Sequence, residues 1–494
     1  MFKKHIFVQN IPGKISFGQD CWTAANGGSF MGIRAHWISA DRKKQNMLLD
    51  FVPLEESHTG VNLCESFLSS LQEFGISIDK IMCITADNAP NNDTFLREVI
   101  RKARDAGVNL DEAICRERCR AHVFNLSAQV LLVTIGCAPP QDEENPNVIE
   151  NISYTFSSTP ESLVKKLRLL VRKISRCASK KSELRNLCDQ HKIPKLNLSP
   201  DVSTRWNSTY LMIERAKKLK QPLMELCAKH RDLHNLMMTE KDWEDLTEVI
   251  KLLKKFNDAT NVVSSAQKPN GPAIIPTSEW LESSIKKFIK DSSGTLKSAA
   301  QAALSKLQEY RPTTDGNNSA ILSVVLNPAL KLNYFKEHKW DSRNIKSIRD
   351  FAVKYFKENY MGLVDSTEEP TEDSEDDEDG LFAFMNKRKR MPPSSQTEMQ
   401  KYLNEPLADV GVDVLKWWEL QSVTYPTLSI MATDFLSIQA SSVDNERDFS
   451  GGVDLLPPTR RRLKKDAIRA CMCLKSWLQD SYEFDVLQED GCTD

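Results

Sequence analysis

The chain has 494 residues, 40% hydrophobic and 27% charged, an ordinary globular composition with length for two or three domains. A formal net charge of −2 excludes a protein that is basic overall, so a surface for nucleic acid has to be a local patch. No apolar run approaches the ~18 residues of a membrane span, the opening MFKKHIFVQNIPGK lacks a secretory apolar core, and the 12 cysteines form no paired framework; reduced thiols and no membrane partner are expected.

Residues 14–17 (KISF) read as a short strand, and Gly18-Gln19 lead from it to Asp20. Residues 29–39 are rich in β-formers after the Gly27-Gly28 turn, and 46–53 make a third strand, close enough for an antiparallel meander. Val61, Leu63, Phe67 and Leu71 give residues 59–74 a helical period. The apolar run 81–85 (IMCIT) is a buried strand ending at Asp87, and Asn92 or Asp93 can cap a helix over 94–106. The apolar run 123–135 reads as strand or helix. This order is that of a ribonuclease H-like α/β fold with a mixed sheet. It would set Asp20 and Asp87 at or just past the ends of neighbouring central strands. Two carboxylates so held can share divalent cations for phosphoryl transfer. Either Asp alone is equally a turn residue, and a third acid is needed.

Residues 139–160 are polar and read as a linker; from 162 to about 363 the pattern is helical. Leu163, Leu167, Leu170 and Val171 mark one apolar face, and Leu246, Val249, Ile250, Leu253 and Phe256 another. This block is a large all-α insertion. Within it, residues 203–209 read STRWNST: Trp206 can stack on an unpaired base while Arg205 meets phosphate, or it is a core Trp with an Arg beside it. Residues 365–379 carry ten acids and no base, as in a solvated linker; Lys387-Arg388-Lys389-Arg390 follows, a nuclear-import signal or a charge-balancing run.

In the last block Trp417 and Trp418 precede a helix after Tyr425-Pro426. Residues 441–449 (SSVDNERDF) form an amphipathic helix bearing Glu446, with Phe449 turned inward. A final helix is expected to be apolar along Ile468, Cys471, Leu474 and Leu478, and so much apolar surface suits an oligomer interface.

The segments QDCWT (19–23), ITADNAPNN (84–92), RCRAHVFNL (118–126), STRWNSTY (203–210), LNPALKL (326–332), WWELQSVTYPTLSIMA (417–432) and SSVDNERDFSGG (441–452) together resemble the hAT superfamily of DNA transposases. The resemblance implies a ribonuclease H-like domain (1–138) interrupted by a helical insertion (139–363), then a linker (364–400) and C-terminal dimerisation helices completing the fold (401–484). It implies Asp20, Asp87 and Glu446 as catalytic carboxylates holding Mg²⁺ or Mn²⁺, Arg205 and Trp206 near the DNA end, and Cys119 and His122 as the family's C-x-x-H element. It further implies self-association, transposon-end DNA as partner, a nuclear location, and strand hydrolysis followed by attack on the opposite strand. Family members usually carry an N-terminal BED zinc finger. No C-x₂-C…H-x₃₋₅-H spacing occurs here, so no zinc is expected, and the chain reads as a truncated or decayed transposase or a protein derived from one. The competing expectation is a non-catalytic protein acting through dimerisation.

Overall fold

The computed structural model describes residues 11–479 apart from 25–26, 56, 137–159, 202–205, 266–267, 313–315, 363–395, 457–459 and 461. Most of the expected linkers 139–160 and 364–400, the basic run 387–390 and Arg205 lie outside the described residues; the second linker ends earlier than expected, because a helix begins at Glu398. The chain divides into two compact units, 1–118 with 266–275 and 312–494, and 119–265 with 276–311.

The first unit is built on a five-stranded mixed sheet. Strands β1 (Ile15–Thr23), β2 (Ser29–Ile38) and β3 (Lys44–Leu54) form the expected antiparallel meander. Helix α1 (Gly60–Glu73) follows, capped by Thr59, whose hydroxyl accepts from the Asn62 N–H. Strand β4 (Ile81–Ala86), helix α2 (Pro90–Asp105) and the short β5 (Arg116–Arg118) complete the order β3-β2-β1-β4-β5, with β4 parallel to β1 and β5 parallel to β4. Alternation along β1 divides its side chains: Phe17 meets Phe67 of α1 edge-on, while Gly18, Asp20 and Trp22 look to the other face. Helix α2 starts at Pro90, four residues before the expected Thr94, because proline fits the first helical turn, where its missing N–H costs nothing.

The second unit is helical. Helix α3 (Arg120–Thr134) is the ambiguous apolar run. It belongs here rather than with the sheet, because Ser127 Oγ donates to the Ala303 carbonyl of α7 and Arg120 Nη1 to the Tyr310 carbonyl. Helices α4 (Pro160–Arg176), α5 (Trp206–Lys218), α6 (Glu240–Val263) and α7 (Gly294–Gln308) bury the predicted stripes, Leu163–Leu167–Leu170–Val171 and Leu246–Val249–Ile250–Leu253–Phe256. Thr239 and Asp242 make a reciprocal capping box at the start of α6. A buried ion pair joins Arg168 of α4 to Asp201, which also accepts from Ser208 and Thr209 of α5.

The insertion is shorter than 139–363. Helices α8 (Asn318–Val325) and α9 (Ser342–Asn359) return to the first unit: Ser319 Oγ donates to buried Glu117 of β5, and Tyr360, just past α9, donates to Asp434. Helices α10 (Glu398–Asn404), α11 (Pro426–Leu436), α12 (Val443–Leu455) and α13 (Lys465–Gln479) follow. The face of α13 differs from expectation. Ile468, Met472, Cys473 and Ser476 are buried, whereas Cys471, Leu474 and Leu478 are exposed. The reason lies in edge strand β3, whose Leu48 N–H donates to Ser476 Oγ and whose Leu48 carbonyl accepts from Trp477 Nε1. Arg469 adds a bond to Asp50 at 2.6 Å. Helix α13 thus covers the open edge of the sheet, and these polar bonds choose its inward face.

Candidate active site

The parallel pairing of β1 with β4 sets Gly18 beside Thr85. Carried two residues further, that register brings Asp20 level with Asp87, one strand spacing of about 5 Å away. Asp20 lies inside β1, not past its end, because pairing with β2 runs on to Thr23; its own cross-strand partner is Gly32. Asp87 is the first residue after β4. Its Oδ1 accepts from the Ala89 N–H (2.9 Å) and from Asn92 Nδ2 (2.5 Å), bonds that turn the chain into α2 and fix the carboxylate. The apolar β4 drives this geometry: six buried residues in a row stop where the first carboxylate needs water.

Glu446 comes from the far end of the chain, in the first turn of α12. Three contacts hold α12 over the Asp20 face of the sheet. Asp448 makes a two-pronged ion pair with Arg34 of β2, both bonds 3.1 Å. Phe449 stacks on Trp22 with ring centroids 6.1 Å apart. The Asn445 amide donates to the Gly32 carbonyl at 3.3 Å. A Cβ on Gly32 would stand 3.0 Å from the Phe449 ring, so glycine lets the helix lie this close without the ring giving way. Glu446 itself is exposed, and Arg447 beside it pairs with Asp444.

Electrostatics tie the three acids together. The Asp20 carboxyl is pushed up to about 7, first by burial, then by the charge of Asp87 and, more weakly, of Glu446; the Cys21 N–H on its Oδ1 pulls the other way. The Cys21 thiol is pushed up to about 12 by burial and by Asp20 and Asp87. Oxygen-only donors with mutually repelling charge suit a hard divalent cation. As they stand they do not make a closed ligand set: among the described residues no group of three or more His, Cys, Asp or Glu side chains could hold a metal ion.

The other predicted residues sit elsewhere. Trp206 begins α5 in the helical unit, is 4% exposed and meets Phe256 edge-on at 6.0 Å. Its ring is core packing and offers no open face to a base, which corrects the stacking role. Buried Cys119 immediately precedes α3 and half-buried His122 lies in its first turn, both in the helical unit. Sequence reasoning missed Arg34, Asn445 and Asp448, the residues that seat α12. Pairings across more than 400 positions leave no local pattern.

Three family profiles match the chain: the ZBED1 RNase-like domain over residues 18–111, the ZBED1 RNase-like helical domain over 117–252, and the hAT family C-terminal dimerisation region over 398–478. The chain is 28% identical to "Putative AC transposase" of Zea mays, over 96% of this chain and 58% of that protein. It is 26% identical to "Putative transcriptional regulator tpeD" of Talaromyces stipitatus (96% and 55%) and 25% identical to "Zinc finger BED domain-containing protein DAYSLEEPER" of Arabidopsis thaliana (96% and 65%). The chain therefore spans under three-fifths of the length of the first two of these relatives. With a ribonuclease H-like sheet, a helical insertion and a dimerisation region each matched in turn along the chain, the protein is similar over most of its length to the hAT superfamily of DNA transposases.

Proposed function

We propose that this chain cleaves and transfers DNA strands through Asp20, Asp87 and Glu446. What supports this reading is the placement of Asp20 inside β1, Asp87 just past the end of the adjacent parallel β4 and Glu446 in the first turn of α12, with the Asp20 carboxyl pushed up to about 7 by burial and by the charges of the other two. The same three residues would hold Mg²⁺ or Mn²⁺, which would supply an activated water or hydroxyl and neutralise the leaving oxygen. The chain's own part is orientation. Cys21 N–H directs the Asp20 carboxyl, Ala89 N–H and Asn92 direct Asp87, and the seat of α12 directs Glu446. The matched dimerisation region supports a second copy of the chain as partner; Val410, Leu420, Val423 and Leu478 within it are exposed apolar side chains. Transposon-end DNA is the proposed substrate and the nucleus the proposed location, the latter supported by the run Lys387-Arg388-Lys389-Arg390. No helix among the described residues is long and apolar enough to cross a membrane.

A second reading is a dimerising protein without catalysis. It is favoured by the absence, among the described residues, of a closed three-ligand set, and by a relative named as a transcriptional regulator. The test is nicking of duplex DNA by purified protein with Mg²⁺ or Mn²⁺, beside Glu446→Gln. Nicking that vanishes in the variant supports the enzyme; none with either metal, in folded dimeric protein, favours the second reading.

A further inference from the structure

Asn445 is among the most deeply buried polar residues of α12, at 1% exposure, and it immediately precedes Glu446. Its Nδ2 reaches the Gly32 carbonyl, the residue paired with Asp20 across β1 and β2. Among the described residues its Oδ1 is buried with no hydrogen-bond partner, as is Nδ1 of His36, two residues beyond Arg34 on β2. Both side chains flank Gly18: a Cβ there would stand 3.7 Å from either amide atom of Asn445 and 3.6 Å from His36 Nε2. An orphaned buried amide oxygen weakens a fold, and apolar groups of similar shape would serve packing as well or better. The amide therefore has a use other than stability, and its one hydrogen bond shows which.

We infer that Asn445 is a positioning residue that pins the start of α12 to the sheet opposite Asp20 and so sets the reach of Glu446 towards Asp20 and Asp87. Glycine at 32 opens the seat, Asn445 fixes the helix along the strand direction, and the Arg34–Asp448 pair fixes its rotation. The inference rests on the strand-cleaving role proposed for the three acids. Glu446 directly follows Asn445 in the first turn of α12, so the anchor one residue away bears on its placement.

The experiment compares wild-type protein with Asn445→Leu, which keeps the bulk and removes the amide, and Asn445→Gln, which keeps an amide donor. An active-site group misplaced by about 1 Å costs on the order of 100-fold in rate. Asn445→Leu is expected to lower kcat for nicking by about that factor with the KM for duplex unchanged, to raise the Mn²⁺ concentration for half-maximal rate, and to leave the urea midpoint unchanged or higher; Asn445→Gln recovers part of the rate. Hydrogen exchange read alongside should quicken in Asn445→Leu at the amides of residues 446–449 and not in the β1 strand. Unchanged kcat, or a rate loss matched by lower stability throughout the unit, overturns the inference. If wild-type protein does not nick with either metal, the strand-cleaving proposal falls and exchange decides alone. Faster exchange confined to 446–449 supports the pin, and unchanged exchange there overturns it.

Discussion

The charge at Asp20 makes a prediction that runs against intuition for an active-site residue: replacing it should stabilise the metal-free protein. A carboxyl held at about 7 in the folded state and 3.8 when unfolded binds its proton more tightly when folded. Its contribution to stability is complete below 3.8 and is lost as the pH climbs to about 7, after which it changes no further. The difference of about 3 pH units corresponds to a cost of about 4 kcal/mol at pH 8, as a ceiling, because solvent reaches part of the half-buried carboxylate. Asp20→Asn keeps the oxygen that accepts from Cys21 N–H and removes the charge facing Asp87 and Glu446. In EDTA at pH 8 the variant should gain about 2–4 kcal/mol in the opening free energy of β1, measured by hydrogen exchange, which reads this unit separately from the helical one. At pH 5 the gain should shrink to about 1–2 kcal/mol, and near pH 4 it should vanish. Mg²⁺ added to wild-type protein at pH 8 should recover part of the same stability, and added to the Asp20→Asn variant it should not. A variant no more stable than wild type at pH 8, or a gain identical at pH 5 and pH 8, would refute the claim that burial and the neighbouring acids hold the Asp20 carboxyl above its ordinary range.

Two further perturbations probe the scaffold. Gly32→Ala would drive a methyl to 3.0 Å from the Phe449 ring; lifting α12 should cost about 1–3 kcal/mol in urea unfolding and slow nicking, although alanine is otherwise the better residue in a strand, and a variant both stable and fast would contradict the close seat. Asp201→Ala leaves Arg168 charged and buried without its carboxylate, so α4 and α5 should lose about 3–5 kcal/mol of protection against hydrogen exchange. Loss of protection under about 1 kcal/mol would mean that water reaches this pair.

Much of the site is legible in the sequence because it obeys local rules. The run 81–85 is apolar on both faces, as a central parallel strand must be, and the polar turn begins where that run ends. The helical period of 441–449 turns Phe449 inward, and the structure stacks it on Trp22. What the sequence leaves open depends on partners distant along the chain. The run 123–135 has apolar residues all round, so periodicity does not separate strand from helix; its bonds to Ala303 and Tyr310 decide the matter. The inner face of α13 follows from the N–H and carbonyl that Leu48 presents on an edge strand, a demand that no hydrophobic pattern records.

Trp206 and Glu446 teach opposite lessons about motifs. Both stand out by resemblance, and for each a plain structural role is open: core packing for one, a solvated helix face for the other. Trp206 takes its plain role, because an indole beside Phe256 gains more from burial than from a wait for a ligand. Glu446 is solvated too, yet its neighbours are costly ones. An amide oxygen at 445 buried without a partner among the described residues, a glycine at 32 inside a strand and a partly buried ion pair from 34 to 448 each weaken or constrain a simple packed helix. A helix that only filled space on this sheet would need none of them. Their concentration around one exposed glutamate is the physical reason to look for function there.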